Sequence, residues 1–213
     1  MFHPKVLDAG RRGVLKRMGQ AMTDLGFYLA GGTAVALYYG HRKSIDFDWF
    51  TSNEIEDPAL LAQELNDEII PMTVERTARN TIFAHRGKVK MQFLRHAFPI
   101  LTAPAPWVSY GCEIASLDDL SAMKLLATTH RSTKKDFIDI YVLGLHHVPL
   151  AKMIEFYKRK YKQRDISYLL RSLVYFDVAD KDSAMPVTLW DIDWLDVKNT
   201  LREWVTSYAG SFT

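Results

Sequence analysis

Two aspartates two positions apart, Asp46 and Asp48, lie in Ser44-Ile45-Asp46-Phe47-Asp48-Trp49-Phe50, where polar and apolar residues alternate. Strand side chains point to opposite faces with a period of two. Ser44, Asp46 and Asp48 are therefore expected on one face, and Ile45, Phe47 and Trp49 on the other. Next-but-one residues in a strand are about 6.5–7 Å apart, so the carboxylate oxygens can converge on a hard cation such as Mg2+. Without a cation the two charges repel, unless one carboxyl takes a proton. A solvated strand face over a core produces the same alternation.

Shortly before this pair, Phe27-Tyr28-Leu29-Ala30 forms an apolar run and ends in Gly31-Gly32-Thr33. Thr33 to Tyr39 then has small and apolar residues at helical spacing, closed by Gly40. The order reads as strand, Gly-Gly turn, helix. Backbone amides at such a turn, together with the helix dipole, suit a phosphate; a tight packing turn is the other reading. A phosphate cradle next to a two-carboxylate cation site is the apparatus of phosphoryl transfer.

Further along, Lys124 interrupts an apolar helix face near Leu120, Met123, Leu125 and Leu126. It reads either as a point charge for a phosphate or as a snorkelling surface lysine. Asp136 and Asp139 share one helical flank at i, i+3, and salt bridges to Arg131, Lys135 or a neighbouring helix are the plain alternative. His41-Arg42-Lys43 reads as a phosphate or RNA contact or as a solvated turn. Lys158-Arg159-Lys160, with Lys162, Arg164, Tyr157 and Tyr161, could grip a nucleic-acid backbone or be a solvated helix face. His146-His147 reads as a helix end, because no third ligand is spaced to help. Trp190, Trp194 and Trp204 read as core of the last helices, and Cys112 as a plain buried residue.

The elements that must position these groups fall into two halves. Val6 to Leu25 is helical, stopped by Gly26. Pro58 to Ile70 is a helix. Met72–Glu75, Thr81–His85 and Val89–Leu94 are strands separated by Arg79-Asn80 and Arg86-Gly87-Lys88. Pro99, Pro104 and Pro106 mark a linker across 97–111. Ser116 caps a helix to Thr129, with Asp119 three residues on. Helices follow over Lys134–Leu145, Met153–Arg159, Ile166–Tyr175 and Leu195–Tyr208. The expected class is α+β, with a mixed-sheet core over 1–110 and a helical half over 111–213 that completes a cleft.

Composition narrows the function classes. With 213 residues, one compact domain or a domain plus a helical extension is accommodated. A formal net charge of +2 makes no case for nucleic acid by itself. A single cysteine forms no internal disulfide. The charged start MFHPKVLDAGRRG is unlike a signal peptide, and no stretch reaches the ~18 apolar residues of a membrane helix. The expected location is cytoplasmic.

Phe27 through Leu37, continuing through His41-Arg42-Lys43-Ser44-Ile45-Asp46-Phe47-Asp48-Trp49-Phe50, resembles the AbiEii/AbiGii toxin family. These are nucleotidyltransferase-like proteins of the DNA polymerase β superfamily. The resemblance runs on through Ile114 to Lys124, Arg131, Lys135 to Tyr141, and Trp194 to Lys198. It implies that Gly31, Gly32 and Thr33 hold triphosphate oxygens and that Asp46 and Asp48 bind catalytic Mg2+. Lys124 and the Lys135-Asp136 pair would lie across the cleft, with Lys124 and Asp136 catalytic and Lys124 and Lys135 meeting the nucleotide. The superfamily usually adds a third carboxylate from a later strand, and Gln92 stands there instead; an amide is a poor base. Glu75 is the substitute, if the sheet places it near Asp48. The expected reaction is transfer of a nucleoside monophosphate from an NTP to an acceptor, with tRNA as one acceptor and a cognate antitoxin as partner. The rivals are a catalytically idle binding protein and a small-molecule, aminoglycoside-like nucleotidyltransferase.

Overall fold

The computed structural model describes residues 1–210. Helix α1, Ala9–Asp24, starts where the Asp8 carboxylate accepts the Arg11 N–H. It buries Val14, Leu15, Met18 and Met22. Strand β1, Tyr28–Ala30, is buried along its whole length and leads into α2, Gly31–Tyr39. Strand β2, Phe47–Thr51, alternates buried and half-buried residues. Phe47 and Trp49 are fully buried, whereas Asp48 is half-buried. Helix α3, Pro58–Glu64, is capped by the Asp57 carboxylate and continues into a wider turn over Leu65–Ile69.

Strands β3 (Thr73–Ala78), β4 (Thr81–Arg86) and β5 (Val89–Arg95) form an antiparallel meander. Strand β5 returns parallel to β2. Two further short strands, β6 (Ala105–Trp107) and β7 (Cys112–Ile114), complete a mixed seven-stranded sheet in the order β3-β4-β5-β2-β1-β7-β6. The 97–111 segment is therefore not a plain linker. Its prolines break it locally, but an antiparallel turn lets β6 cover the edge of β7. Strand β7 pairs with β1, Leu29 opposite Ile114, so the sheet draws chain from both sides of residue 110.

The remaining helices are α4 (Leu117–His130), α5 (Lys134–His146), α6 (Leu150–Tyr161), α7 (Ser167–Val174), α8 (Asp177–Lys181) and α9 (Trp194–Gly210). Ser116 caps α4: its hydroxyl accepts the Asp119 N–H and donates to the Asp119 carboxylate. That carboxylate also accepts from the buried Lys160 ammonium at 2.6 Å and from the Leu101 and Thr102 amides at 3.1 Å. Lys160 donates in addition to the Pro99 carbonyl. The basic run 158–160 is thus interrupted, because its last residue, Lys160, is spent inside the fold, anchoring the connection between β5 and β6. Trp194 and Trp204 are half-buried against the core; Trp190 lies before α9, not on a helix. Cys112 is buried and free. No single helix among the described residues is long and apolar enough to cross a membrane.

His96, at the end of β5, sits against Phe50, Phe98 and Tyr161. Burial, aided by the Lys160 charge, pushes its pKa down to about 4. The folded histidine stays neutral where an unfolded one, with a pKa of about 6.5, takes a proton. A depressed histidine contributes stability that is full above the unfolded value and lost as pH falls from there. The urea midpoint should therefore drop between about pH 6.5 and 4, and less steeply in His96→Phe. Equal slopes in the two proteins would assign the drop to other groups.

Candidate active site

Asp48 occupies the middle of the sheet, opposite Ala30 on β1 and Gln92 on β5. Gly31 follows Ala30 at φ +65°. A Cβ there would overlap the Asp48 carboxylate, and one on Gly32 would overlap the Arg42 guanidinium. The glycine pair is the first turn of α2 rather than a separate turn, and its lack of side chains is what lets Asp48 and Arg42 approach. The Thr33 hydroxyl is held within the fold. Thr33 is buried, shares a 2.7 Å hydrogen bond with the Ser44 hydroxyl, and its own hydroxyl donates to the Asp46 carbonyl. Its contribution is to pin the backbone that carries Asp46. Asp46 Oδ1 is buried with no hydrogen-bond partner.

Behind the two aspartates lies a buried ionic cluster. Asp139, fully buried, accepts from Arg42 Nε at 2.7 Å and Arg42 Nη2 at 2.8 Å. It also accepts from His41 Nε2 at 2.8 Å and forms an ion pair with Lys124 Nζ at 2.6 Å. Asp136, also fully buried, accepts from Lys124 Nζ at 3.0 Å, from Arg131 Nε and Nη2 at 2.9 Å, and from the Thr133 hydroxyl at 2.7 Å. Burial pushes both carboxyls up, but the cations outweigh it. Lys124, then Arg131 and Thr133, hold Asp136 at about 2, and Arg42 and Lys124 hold Asp139 well below the usual carboxylate range. Burial lowers the His41 pKa against the pull of Asp139, so a neutral ring donates Nε2–H. Asp48 differs in sign: burial raises its pKa, Lys124 and Arg131 offset this only in part, and Asp46 adds to the rise. Asp136 and Asp139 are thus already neutralised by protein cations, while Asp48 remains open to one.

A cavity of about 430 Å³ opens over these groups. Asp46, Asp48, Gly32, Thr33, Lys124 and Lys135 line it. Gln92, Arg131 and Lys134 do so too. Gly31 and Asp136 do not; they stand behind the lining, and Asp136 meets the Arg131 of the salt-bridge reading but not Lys135. His41 and Arg42 are buried rather than a solvated turn, Arg42 lining the cavity, while Lys43 is exposed. Glu75 does not replace Gln92: β4 and β5 separate its strand from β2, and its exposed carboxylate bonds His85 at 2.9 Å. Sequence reasoning missed the segment after α8, whose Asp182, Ala184, Met185 and Pro186 form a wall of the cavity. The Lys134 ammonium donates to the Asp182 carbonyl. Nothing periodic marks this wall in the sequence.

Among the described residues no group of three or more His, Cys, Asp or Glu gathers around a point. The oxygen donors lining the cavity include the Asp46, Asp48 and Asp182 carboxylates and the Gln92 amide. This all-oxygen set suits Mg2+, and the partnerless Asp46 Oδ1 is the atom a cation would satisfy.

Residues 14–105 match the family described as the nucleotidyl transferase AbiEii toxin of type IV toxin–antitoxin systems. An uncharacterized protein of Aquifex aeolicus (strain VF5) is 31% identical over 183 residues, 85% of this chain and 87% of that one. Among solved structures, MenT4, a nucleotidyltransferase toxin from Mycobacterium tuberculosis H37Rv, aligns with a TM-score of 0.60 at 12% identity. The alignment covers 92% of this chain and 82% of that one. The antibiotic-resistance factor ANT(2'')-Ia aligns with a TM-score of 0.51 at 14% identity, covering 70% of this chain and 90% of that one. At these identities the two structures speak to fold.

Proposed function

Because the chain belongs to the AbiEii nucleotidyltransferase toxin family, we propose that it transfers a nucleoside monophosphate from an NTP to an acceptor hydroxyl in a Mg2+-dependent reaction. The hydroxyl oxygen bonds the α-phosphorus, the bond to the bridging oxygen breaks, pyrophosphate leaves, and the hydroxyl proton passes to water. Asp46 and Asp48 would hold the cation, which would supply charge neutralisation at the phosphoryl oxygens. Lys124 hydrogen-bonds Asp136 and pairs ionically with Asp139, and an ammonium has three N–H donors, which leaves capacity for a phosphate oxygen. Lys135, exposed at the cavity, adds a second positive charge for the leaving phosphates. Asp136 and Asp139 position Lys124 rather than touch substrate.

The observation that supports this reading best is one cavity holding a carboxylate with a raised pKa, a neighbouring carboxylate oxygen with no partner, and a fixed ammonium. Lys124, Arg131, Lys134 and Lys135 on its walls favour a polyanionic acceptor such as tRNA over a cationic aminoglycoside. Cytoplasmic residence and a cognate antitoxin complete the proposal. Gln92 beside Asp48 favours one rival, a relative that binds nucleotide without transferring it.

The test is calorimetry of NTP binding with and without Mg2+. In Asp46→Asn/Asp48→Asn the Mg2+-dependent gain in affinity should vanish while the melting temperature does not fall, since the change removes two repelling charges from a cavity wall. An unchanged gain would show that the cation binds elsewhere.

A further inference from the structure

Ile45 departs from the alternation around it. It is 45% exposed, while Phe47 and Trp49 are fully buried. The reason lies in its backbone. The Ser44 N–H donates to the Val6 carbonyl, Arg11 Nε donates to the Ile45 carbonyl at 2.8 Å, and Thr33 fixes the Asp46 carbonyl. These anchors hold 44–46 outside the sheet, which begins only at Phe47.

The segment instead pairs with the wall that follows α8. Arg42 and Thr188 form an antiparallel bridge, the Lys43 N–H donates to the Val187 carbonyl at 2.8 Å, and the Leu189 N–H donates to the His41 carbonyl at 2.7 Å. Carried along both segments, this register sets Ile45 across from Met185. Beyond Lys43 the 44–45 backbone turns to other partners, the Ser44 N–H to the Val6 carbonyl and the Ile45 carbonyl to Arg11. Side-chain parity agrees with the register: Arg42 and Ser44 are buried, whereas Lys43, Ile45, Met185 and Val187 are exposed. Ile45 and Met185 both line the cavity of Asp46 and Asp48. With Ala184 and Pro186 they are its carbon-rich surface; the rest of the lining is glycine, polar or charged.

We propose that Ile45 and Met185 form the nucleobase slot of this site, an apolar cross-strand pair that takes the flat face of the NTP base. The assignment rests on the nucleotidyltransferase reading above. Ile45 directly precedes Asp46, so a nucleotide whose phosphates lie at Lys124 and the carboxylates projects its base toward an adjoining surface. A base face is apolar and uncharged, which suits Ile45 and Met185, the two large apolar side chains of the carbon-rich surface. The pair discriminates weakly among bases, because it offers area and no side-chain hydrogen bond. Selectivity then falls to the backbone groups of 184–186.

The test measures binding of each of the four NTPs and of inorganic tripolyphosphate, all with Mg2+, to wild type, Ile45→Ser/Met185→Ser and Leu189→Ser. Leu189 lies on the same segment, is 45% exposed and does not line the cavity. The double variant should lose about ten-fold or more in NTP affinity and keep its tripolyphosphate affinity within about two-fold. Leu189→Ser should match wild type. Met185→Ala, which changes one exposed side chain, should show the same selective loss at smaller size if the double variant melts early. Equal losses for NTP and tripolyphosphate overturn the slot, as does an unchanged NTP affinity. An unchanged NTP affinity with weakened acceptor binding assigns the pair to the acceptor instead. Wild type that binds neither NTP nor tripolyphosphate overturns the nucleotidyltransferase reading as well, so the two failures are distinct.

Discussion

Gln92→Asp is expected to raise the transfer rate by about 10²-fold or more, or to create transfer where wild type has none. Gln92 pairs with Asp48 across the parallel β2–β5 ladder and lines the same cavity. Neighbouring strands are about 4.8 Å apart, which brings a carboxylate at 92 to the site shared by Asp46 and Asp48. The native amide can offer an oxygen to a cation but adds no negative charge and accepts a proton poorly. A carboxylate supplies both, and general-base help is typically worth ~10²–10⁴-fold. A second readout checks that the new group has reached the cluster. Three carboxylates without Mg2+ repel more strongly than two, so the variant should melt below wild type in chelator and recover when Mg2+ is added. Gln92→Glu keeps the side-chain length and covers the case in which Asp falls short. Silence of wild type and both variants with every NTP over a broad acceptor panel would favour the binding-protein rival. A fast wild type unaffected by either change would mean that another group accepts the proton.

The largest stability effect is expected at Asp139. Asp139→Asn should cost about 3–5 kcal/mol, the usual range when one partner of a buried ion pair is removed. Arg42 and Lys124 are almost wholly buried and cannot turn to water when the charge they meet disappears. Asp136→Asn should cost less. One of its cations, Arg131, keeps 59% of its side chain exposed and can rehydrate, while Lys124 retains Asp139. Urea unfolding at neutral pH gives the comparison, and a variant at 136 less stable than the one at 139 would reverse the ranking. The sign with pH follows from the lowered pKa of Asp136. Its contribution is present above the unfolded value near 3.8 and disappears as pH falls toward about 2.

The sequence by itself determined what local geometry controls. Period two placed Phe47 and Trp49 inward and Asp48 toward the cavity. Small residues after an apolar run marked β1 and α2, Ser116 and Asp119 marked the start of α4, and Asn80 and Gly87 marked the turns of the meander. These signals are legible because each depends on neighbours a few residues away. The tertiary structure alone decided which charges are inside. Arg42 and His41 meet Asp139 across 97 and 98 positions, and each read alone is an ordinary surface residue. Lys160 looks like part of a basic run until Asp119, 41 positions earlier, claims it. Ile45 obeys the alternation in sequence and breaks it in space, because Arg11, Val6 and Thr33 hold its backbone before the sheet begins. The cavity wall at 182–186 has no periodicity of its own; it is held by Lys134 and the segment 41–43, whose own positions the rest of the fold sets. The side-chain period of a strand and the hydrogen bonds of a helix cap are short-range and written locally. Burial of a charge is favourable only when its partner arrives from elsewhere in the chain, and that arrival is a property of the whole packed molecule.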